Sequence, residues 1–334
     1  MKSDYRSHKT SETSKNFSIT NPMQIPCLLC KSKDTRTASS LTRLEIVKLW
    51  KMLERPVEEA DLRRCKLPEN VELLECDACG FQFFDPAQAG DGLFYQKLAV
   101  ENGVYYNASR PEFRDAISHA KKKGYQSVLD LGCGSGNFLD LARDSGLSTT
   151  GMELNEQAAE FARGKGHDIL PGILTEEFLA HHTRRYDMVT LFQVVEHLSD
   201  PIGLLKLAKQ LVNDGGTLMF SVPNRRGQYQ FFPLDPHQWP PHHISRWRTT
   251  DFKPVAKTIG MTHLKSSGDS LFGRSLVDFH ARNDQARIAL GKKLVPGSSA
   301  AISILALLYR FTGMKHLIRN LGMSIHCYLE QPFK

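Results

Sequence analysis

The stretch Ser127 to Leu139, SVLDLGCGSGNFL, constrains the fold more than any other part of the chain. A short apolar run (Val128, Leu129, Leu131) leads into Gly132, Gly134 and Gly136, and helical spacing then resumes from Asn137 to Arg143 through Phe138, Leu139, Leu141 and Ala142. Strand, glycine turn and helix in this order bring unshielded backbone and the free N–H groups of a helix start to one point, where a ligand can come close to the main chain. Several cofactors use such turns, and spacing separates them. The dinucleotide fingerprint G-x-G-x-x-G would put its third glycine at position 137, where Asn137 stands.

Beyond the turn, Thr149 to Leu154 reads as a second strand ending in Glu153, followed by the helix Gln157 to Arg163. A carboxylate at a strand end can accept both hydroxyl hydrogens of a ribose, a charge-assisted pairing that a neutral side chain does not match. Asp168 to Pro171 reads as a third strand and Met188 to Phe192 as a fourth, the latter leading into Gln193-Val194-Val195-Glu196-His197. A helix follows over Pro201 to Val212, a turn over Asn213 to Gly216, and a fifth strand over Thr217 to Val222. Strands alternating with helices predict an α/β, doubly wound sheet.

Asp130-x-Gly132-x-Gly134-x-Gly136, Glu153, the segment Gln193 to Pro201 and the strand end Ser221-Val222-Pro223-Asn224 together resemble class I S-adenosylmethionine-dependent methyltransferases, over roughly Tyr105 to Phe279. The resemblance implies a Rossmann-like sheet of seven strands and S-adenosylmethionine as cofactor. It further implies Asp130, Gly132, Gly134 and Gly136 around the methionine part, Glu153 on the ribose, Ile173 against the adenine, and Gln193 at the end of the fourth strand. One departure is Gly172-Ile173-Leu174, which stands where many relatives carry an acidic or hydroxyl side chain for the adenine amine.

Cys27-x-x-Cys30 and Cys76-x-x-Cys79 form two knuckles, the second followed by Gly80. Two thiolates three positions apart fit one tetrahedral metal, and two such turns complete four ligands, a closed and hence structural zinc site. The spacer is long for a zinc ribbon, so Leu41 to Arg64, which reads as helical, is an insertion. With Phe81-Gln82-Phe83-Phe84-Asp85-Pro86, Phe94-Tyr95 and Tyr105-Tyr106, the knuckles resemble a subset of class I methyltransferases with an N-terminal zinc ribbon, which act on sugars, polysaccharide precursors and other small metabolites. The aromatic residues read equally well as active-site wall or as core.

Methyl transfer from a sulfonium needs alignment, dryness and, for a hydroxyl acceptor, a base. Histidine is the natural base near neutral pH, and two places offer one. Glu196-His197 follows the fourth strand at the carboxyl edge of the sheet, where open α/β sheets bind ligands. His242-His243 lies in the proline-rich stretch Phe231 to Trp247, which reads as a substrate lid. The resemblance extends to Pro240-Pro241-His242-His243, implying an active-site rim with His243 as base or substrate contact. In some related quinone methyltransferases, a glutamate beside a histidine, as in Glu196-His197, holds a divalent cation.

The net charge of +7 divides unevenly: residues 1–22 carry +2, residues 283–334 carry +5, and the middle nets to zero. Nucleic acid is therefore a poor partner, because phosphate tracking needs basic residues on the folded domain itself. The expected organisation is a disordered tail (1–22), a zinc-ribbon-like module (23–90), the methyltransferase domain (91–282) and C-terminal amphipathic helices (283–334) that pair subunits into a homodimer, cover the domain or rest on a membrane surface. The first 22 residues lack the apolar stretch of a secretory signal, and paired reduced cysteines suit a cytoplasmic setting. The expected activity is O-methylation of a sugar, lipid-linked or other small metabolite, with C- or N-methylation close behind and RNA methylation and non-catalytic cofactor binding as the alternatives.

Overall fold

The computed structural model describes residues 25–99, 110–268, 273–294 and 323–333. The expected disordered tail, Tyr105-Tyr106 and most of the proposed C-terminal helices lie outside these residues.

The N-terminal module is an antiparallel sheet with a helical pair. β1 (Thr35–Thr42) pairs with β2 (Asn70–Cys76), and β2 with β3 (Gln82–Asp85). Between β1 and β2 come α1 (Arg43–Met52) and α2 (Glu59–Arg64), so the expected helical insertion is present, preceded by a strand. α1 starts where it does because Thr42 and Glu45 form a capping box, and it buries Ile46, Val47, Leu49 and Trp50. α3 (Gly92–Ala99) completes this core: Phe94 and Leu98 join Trp50, Phe84, Phe232 and Trp239 in one apolar cluster.

The second unit is a seven-stranded sheet. α4 (Pro111–Lys123), closed at its end by Gly124 in the left-handed region (φ +70°), leads into β4 (Ser127–Leu131). There follow α5 (Asn137–Asp144), β5 (Ser148–Glu153), α6 (Glu156–Gly164), β6 (Asp168–Pro171), α7 (Glu176–His181), β7 (Tyr186–Phe192), α8 (Pro201–Gln210) and β8 (Val212–Pro223). β9 (Ser245–Arg246) leaves this unit and pairs with β3 of the module. α9 (Phe252–Ile259), β10 (Thr262–Gly268), α10 (Gly273–Ala289) and β11 (Ser324–Glu330) close the chain. The spatial order is β10-β11-β8-β7-β4-β5-β6, parallel from β8 to β6, with β11 antiparallel to both its neighbours. This is the seven-stranded, doubly wound α/β sheet that the motifs imply.

The order reverses beside β4. Its neighbours β5 and β7 continue the chain in opposite directions across the sheet, which opens a crevice at their carboxyl ends. Apolar faces cover both sides: Leu129, Leu131, Val189 and Leu191 belong to one cluster, and Val128, Met188, Phe138 and Phe192 to the other.

The C-terminal expectation needs correcting. Ser324–Glu330 is a strand in the sheet's interior, whereas the expected amphipathic helices cover 283–334. Two-residue alternation explains it: Ile325, Cys327 and Leu329 face one core and Tyr328 the other, a pattern masked by apolar residues on both faces. The seven-stranded sheet therefore draws on the end of the chain, and a boundary at residue 282 would cut it.

A chain ending at residue 322 leaves β8 and β10 without their shared partner and should show no cooperative thermal unfolding by circular dichroism. A transition at the full-length temperature would contradict the interior position of β11.

Candidate active site

The glycine turn sits at the crevice. Gly132, Gly134 and Gly136 have φ of +79°, +54° and +79°, a left-handed region that costs an L-residue with a Cβ, so all three positions require glycine. A Cβ on Gly132 would also meet Val194 Cγ2 at 2.6 Å, and one on Gly136 would meet His167 Cδ2 at 2.9 Å. Gly136 serves as the N-cap of α5, leaving that helix start open towards the crevice.

Glu153, at the end of β5, reaches across to the turn. Its Oε2 accepts from Gly134 N at 2.8 Å and its Oε1 from Asn155 N at 2.8 Å. Each carboxylate oxygen offers about two acceptor directions. Glu153 can therefore shape the turn and still accept from a pair of hydroxyls.

Asp130 is buried beneath the turn, where its Oδ1 accepts from Thr190 Oγ1 at 2.7 Å. Burial pushes its carboxyl up to about 7 and the nearby Glu153 adds to this, while the Thr190 hydrogen bond opposes it. Ile173 is 58% exposed after the Gly172 turn, open to stack against a ring. Gln193 departs from expectation. Its Nε2 donates to Ser221 Oγ (3.2 Å) and Ser324 Oγ (2.9 Å), towards β8 and β11 and so to the side of β7 opposite β4.

On the β7 side of the crevice the structure gathers Glu196, His197, His242 and His243. Glu196 is fully buried, and neither of its carboxylate oxygens has a hydrogen-bond partner among the described residues. Its Oε1 lies 3.7 Å from His197 Nε2 and 4.0 Å from His243 Nε2. Ligand atoms of His197, His242 and His243 all fall within 4.8 Å of one another. His197 Nδ1 is 2.6 Å from the carbonyl oxygen of His242. A carbonyl only accepts, so Nδ1 carries the proton and Nε2 presents a lone pair. Burial pushes His197 down to about 4, with the His242 carbonyl opposing, and holds His242 and His243 well below the usual imidazole range, with their neighbouring imidazoles adding to it. Burial likewise pushes Glu196 up to about 8. Near neutral pH the cluster carries little charge.

Tyr95 was not singled out as a site residue. Its hydroxyl lies 3.2 Å from His197 Nδ1 and 3.4 Å from the His242 carbonyl. The aromatic residues thus divide: Phe81, Phe83, Phe84 and Phe94 are fully buried core, and Tyr95 lies against the histidine cluster. No local signal distinguishes them. The expected lid is clamped down: Phe84 N donates to Ile244 O (3.0 Å), Gly90 N to Pro241 O (2.8 Å) and Ile244 N to Glu196 O (2.7 Å).

The four knuckle cysteines come together as expected. Their sulfur atoms lie within 4.8 Å of one another, with Cys27 to Cys79 at 3.7 Å and Cys30 to Cys76 at 3.5 Å. A tetrahedral zinc with bonds of about 2.3 Å sets sulfur–sulfur edges of about 3.8 Å, so the set fits that ion. Burial pushes the Cys27 thiol up to about 11, and Cys30 and Cys76 add to it, so four thiolates gathered here call for a cation. Cys65, Cys133 and Cys327 stand outside this group.

A family model described as a methyltransferase domain matches residues 105–265. The ubiquinone biosynthesis O-methyltransferase of Saccharophagus degradans is 30% identical over 135 residues, 38% of this chain and 55% of that protein. The protein of the same name from Citrobacter koseri is 34% identical over 110 residues, 31% of this chain and 45% of that one. The chain thus spans about half the length of the curated relatives it matches. A solved S-adenosylmethionine-dependent methyltransferase from Archaeoglobus fulgidus overlays with a TM-score of 0.44 at 19% identity, over 72% of this chain and all of that one.

The proton that Asp130 keeps up to about pH 7 gives a pH test. Between its ordinary value of 3.8 and about 7 the native state holds a proton that the unfolded state has lost, so stability falls as pH rises through that window. Asp130→Asn keeps the acceptor for Thr190 and removes the titration. Denaturation midpoints should show the variant gaining on the wild type as pH rises from about 4 to about 7 and levelling off above it; a constant difference would contradict the burial of this carboxyl. The glycine turn, Glu153 and the Glu196–His197 segment all fall within residues 105–265, the stretch that matches the methyltransferase-domain model.

Proposed function

We propose that the chain transfers the methyl group of S-adenosylmethionine to a hydroxyl of a small-molecule acceptor. The observation that carries this reading is the glycine turn held by Glu153, one strand away from a dry wall of Glu196, His197 and His243, within a domain that matches the methyltransferase model. Asp130 and the turn face the methionine part of the cofactor, Glu153 takes the ribose, and Ile173 stacks on the adenine. Oxygen as the acceptor atom is supported by the names of the matched relatives and by a neutral imidazole where a hydroxyl needs a base. The zinc-ribbon resemblance favours a sugar or related metabolite as acceptor.

In this reading the acceptor oxygen forms a bond to the methyl carbon as the carbon–sulfur bond breaks, and its electron pair returns to sulfur. The hydroxyl proton passes to a histidine. Between the two candidates, His197 is favoured: its tautomer is fixed by the His242 carbonyl, and its side chain is 17% exposed against 6% for His243. His243 then backs Glu196, and the imidazolium forms beside the Glu196 carboxyl group, which can release its own proton as that charge appears. Zinc on Cys27, Cys30, Cys76 and Cys79 is structural, since four thiolates leave no coordination position for substrate.

A second reading of the same wall rests on Glu196. A buried carboxylate without a hydrogen bond is costly, and Glu196 escapes that cost either by holding a proton or by facing a cation. Glu196, His197 and His243 therefore also suit a divalent cation of the imidazole- and carboxylate-preferring kind, which would orient an acceptor hydroxyl. Nucleic acid remains disfavoured by the neutral middle of the chain.

Glu153→Ala should weaken binding of S-adenosylhomocysteine by roughly 10- to 100-fold in calorimetry, the range for charge-assisted hydrogen bonds of about 1.5–3 kcal/mol. Unchanged affinity removes Glu153 from the cofactor site. His197→Ala should lower turnover by about 10²- to 10⁴-fold with cofactor affinity intact. If turnover persists in that variant while His243→Ala abolishes it, the base is His243.

A further inference from the structure

The cysteine module and the acceptor wall are joined through one loop. After β8 the chain crosses to the module, and β9 pairs with β3 in the register Gln82 to Arg246 and Phe83 to Ser245. His242 and His243 stand just before this strand. Two arginines at the ends of the crossing grip the second cysteine knuckle. Arg225 donates from Nη1 to Gly80 O (2.8 Å) and from Nη2 to Glu75 Oε2 (2.8 Å). Arg248 donates from Nη2 to Cys79 O (2.6 Å) and to Asp251 Oδ1 (2.6 Å). Its guanidinium also fills the space beside Gly80, where a Cβ would lie 2.6 Å from Nη1.

Both backbones of the acceptor wall are referenced to this seam. Ile244, flanked by His243 and β9, donates to the Glu196 carbonyl and accepts from Phe84 N. Phe84 is separated by only Gly80 to Phe83 from the Cys79 ligand, and Phe81 packs edge-on against Trp247 at 4.9 Å. A shift of the knuckle therefore passes through Cys79 O and Gly80 O to Arg248 and Arg225. From there it passes through β9 to the imidazoles of His242 and His243.

Resting on the function proposed above, we infer that the four-cysteine clip positions the acceptor wall, with Arg248 and Arg225 as the positioning residues that connect the two. The clip is thus a working part of the acceptor half of the site, and the glycine turn and Glu153 are independent of it. Held on a metal, the knuckles would keep Cys79 O and Gly80 O in place, and Arg248 and Arg225 carry that position to the histidine loop.

The chain carries its own probe. Its three tryptophans are Trp50, Trp239 and Trp247, and all lie in this seam: Trp50 against His237 (4.8 Å), Trp239 against Phe84 (5.1 Å) and Trp247 against Phe81. The test uses full-length, zinc-loaded protein, the same protein stripped by a chelator and reloaded with zinc alone, and Arg248→Met, which keeps an apolar stem but no donor. Hydrogen exchange over residues 236–248 should rise roughly tenfold or more in both the stripped protein and Arg248→Met. Tryptophan emission should shift to the red, and affinity for S-adenosylhomocysteine should stay within about twofold. Zinc should reverse the first effect and not the second, and Arg248→Lys, which keeps one donor, should recover part of the protection. Unchanged exchange over 236–248 in Arg248→Met overturns the inference. Loss of S-adenosylhomocysteine binding together with the loop's protection also overturns it, because the clip would then be only a folding staple. Should zinc-loaded wild-type protein itself fail to bind S-adenosylhomocysteine, the cofactor reading fails, whatever the loop does.

Discussion

The hydrogen bond from Gly134 N to the Glu153 carboxylate is the contact on which the arrangement of this molecule depends. It ties the turn after one strand to the end of the next, beside the strand from which the chain runs in both directions across the sheet. Three alternate glycines in left-handed conformation let the backbone pass this point without side chains. A carboxylate one strand away then does two tasks, ordering the turn and offering its remaining lone pairs to the crevice. Any Cβ on the turn would enter the space the ligand needs or collide with Val194 or His167.

Opposite this polar half stands a wall built on a different principle. Glu196 and three imidazoles are gathered where burial penalises each of their charged forms, so the cluster is neutral and dry near pH 7. Such a place is poised to take up charge when something enters it, whether a proton from a hydroxyl or a cation. The division of labour follows from the topology. The proposed cofactor half comes from consecutive strand–helix units, whereas the proposed acceptor half is assembled from β7, the long crossing after β8 and the N-terminal module.

That division also explains what could be read in the amino-acid sequence. The glycine turn, Asp130, Glu153 and both cysteine pairs are local patterns, each carried by a few adjacent residues whose spacing has a physical meaning. Glu196, His197 and His243 could be named as candidates from their neighbours, but their convergence is a long-range fact. Gln193 stood at the right strand end, yet its side chain turns to Ser221 and Ser324, the second of which arrives from the far end of the chain. Tyr95 looked like its neighbouring aromatic residues, and only the fold separates its hydroxyl from their core packing. β11 was misread because a strand buried on both faces shows little polar alternation, and its partners lie about a hundred residues upstream or across a segment outside the described structure.

The most direct test of the account is a crystal structure with S-adenosylhomocysteine. The account predicts both ribose hydroxyls within hydrogen-bond distance of the Glu153 carboxylate, the amino-acid portion along the turn from Gly132 to Gly136, and the sulfur facing the wall of Glu196 and His197. A ligand seated elsewhere, or one whose sulfur points away from that wall, would contradict it.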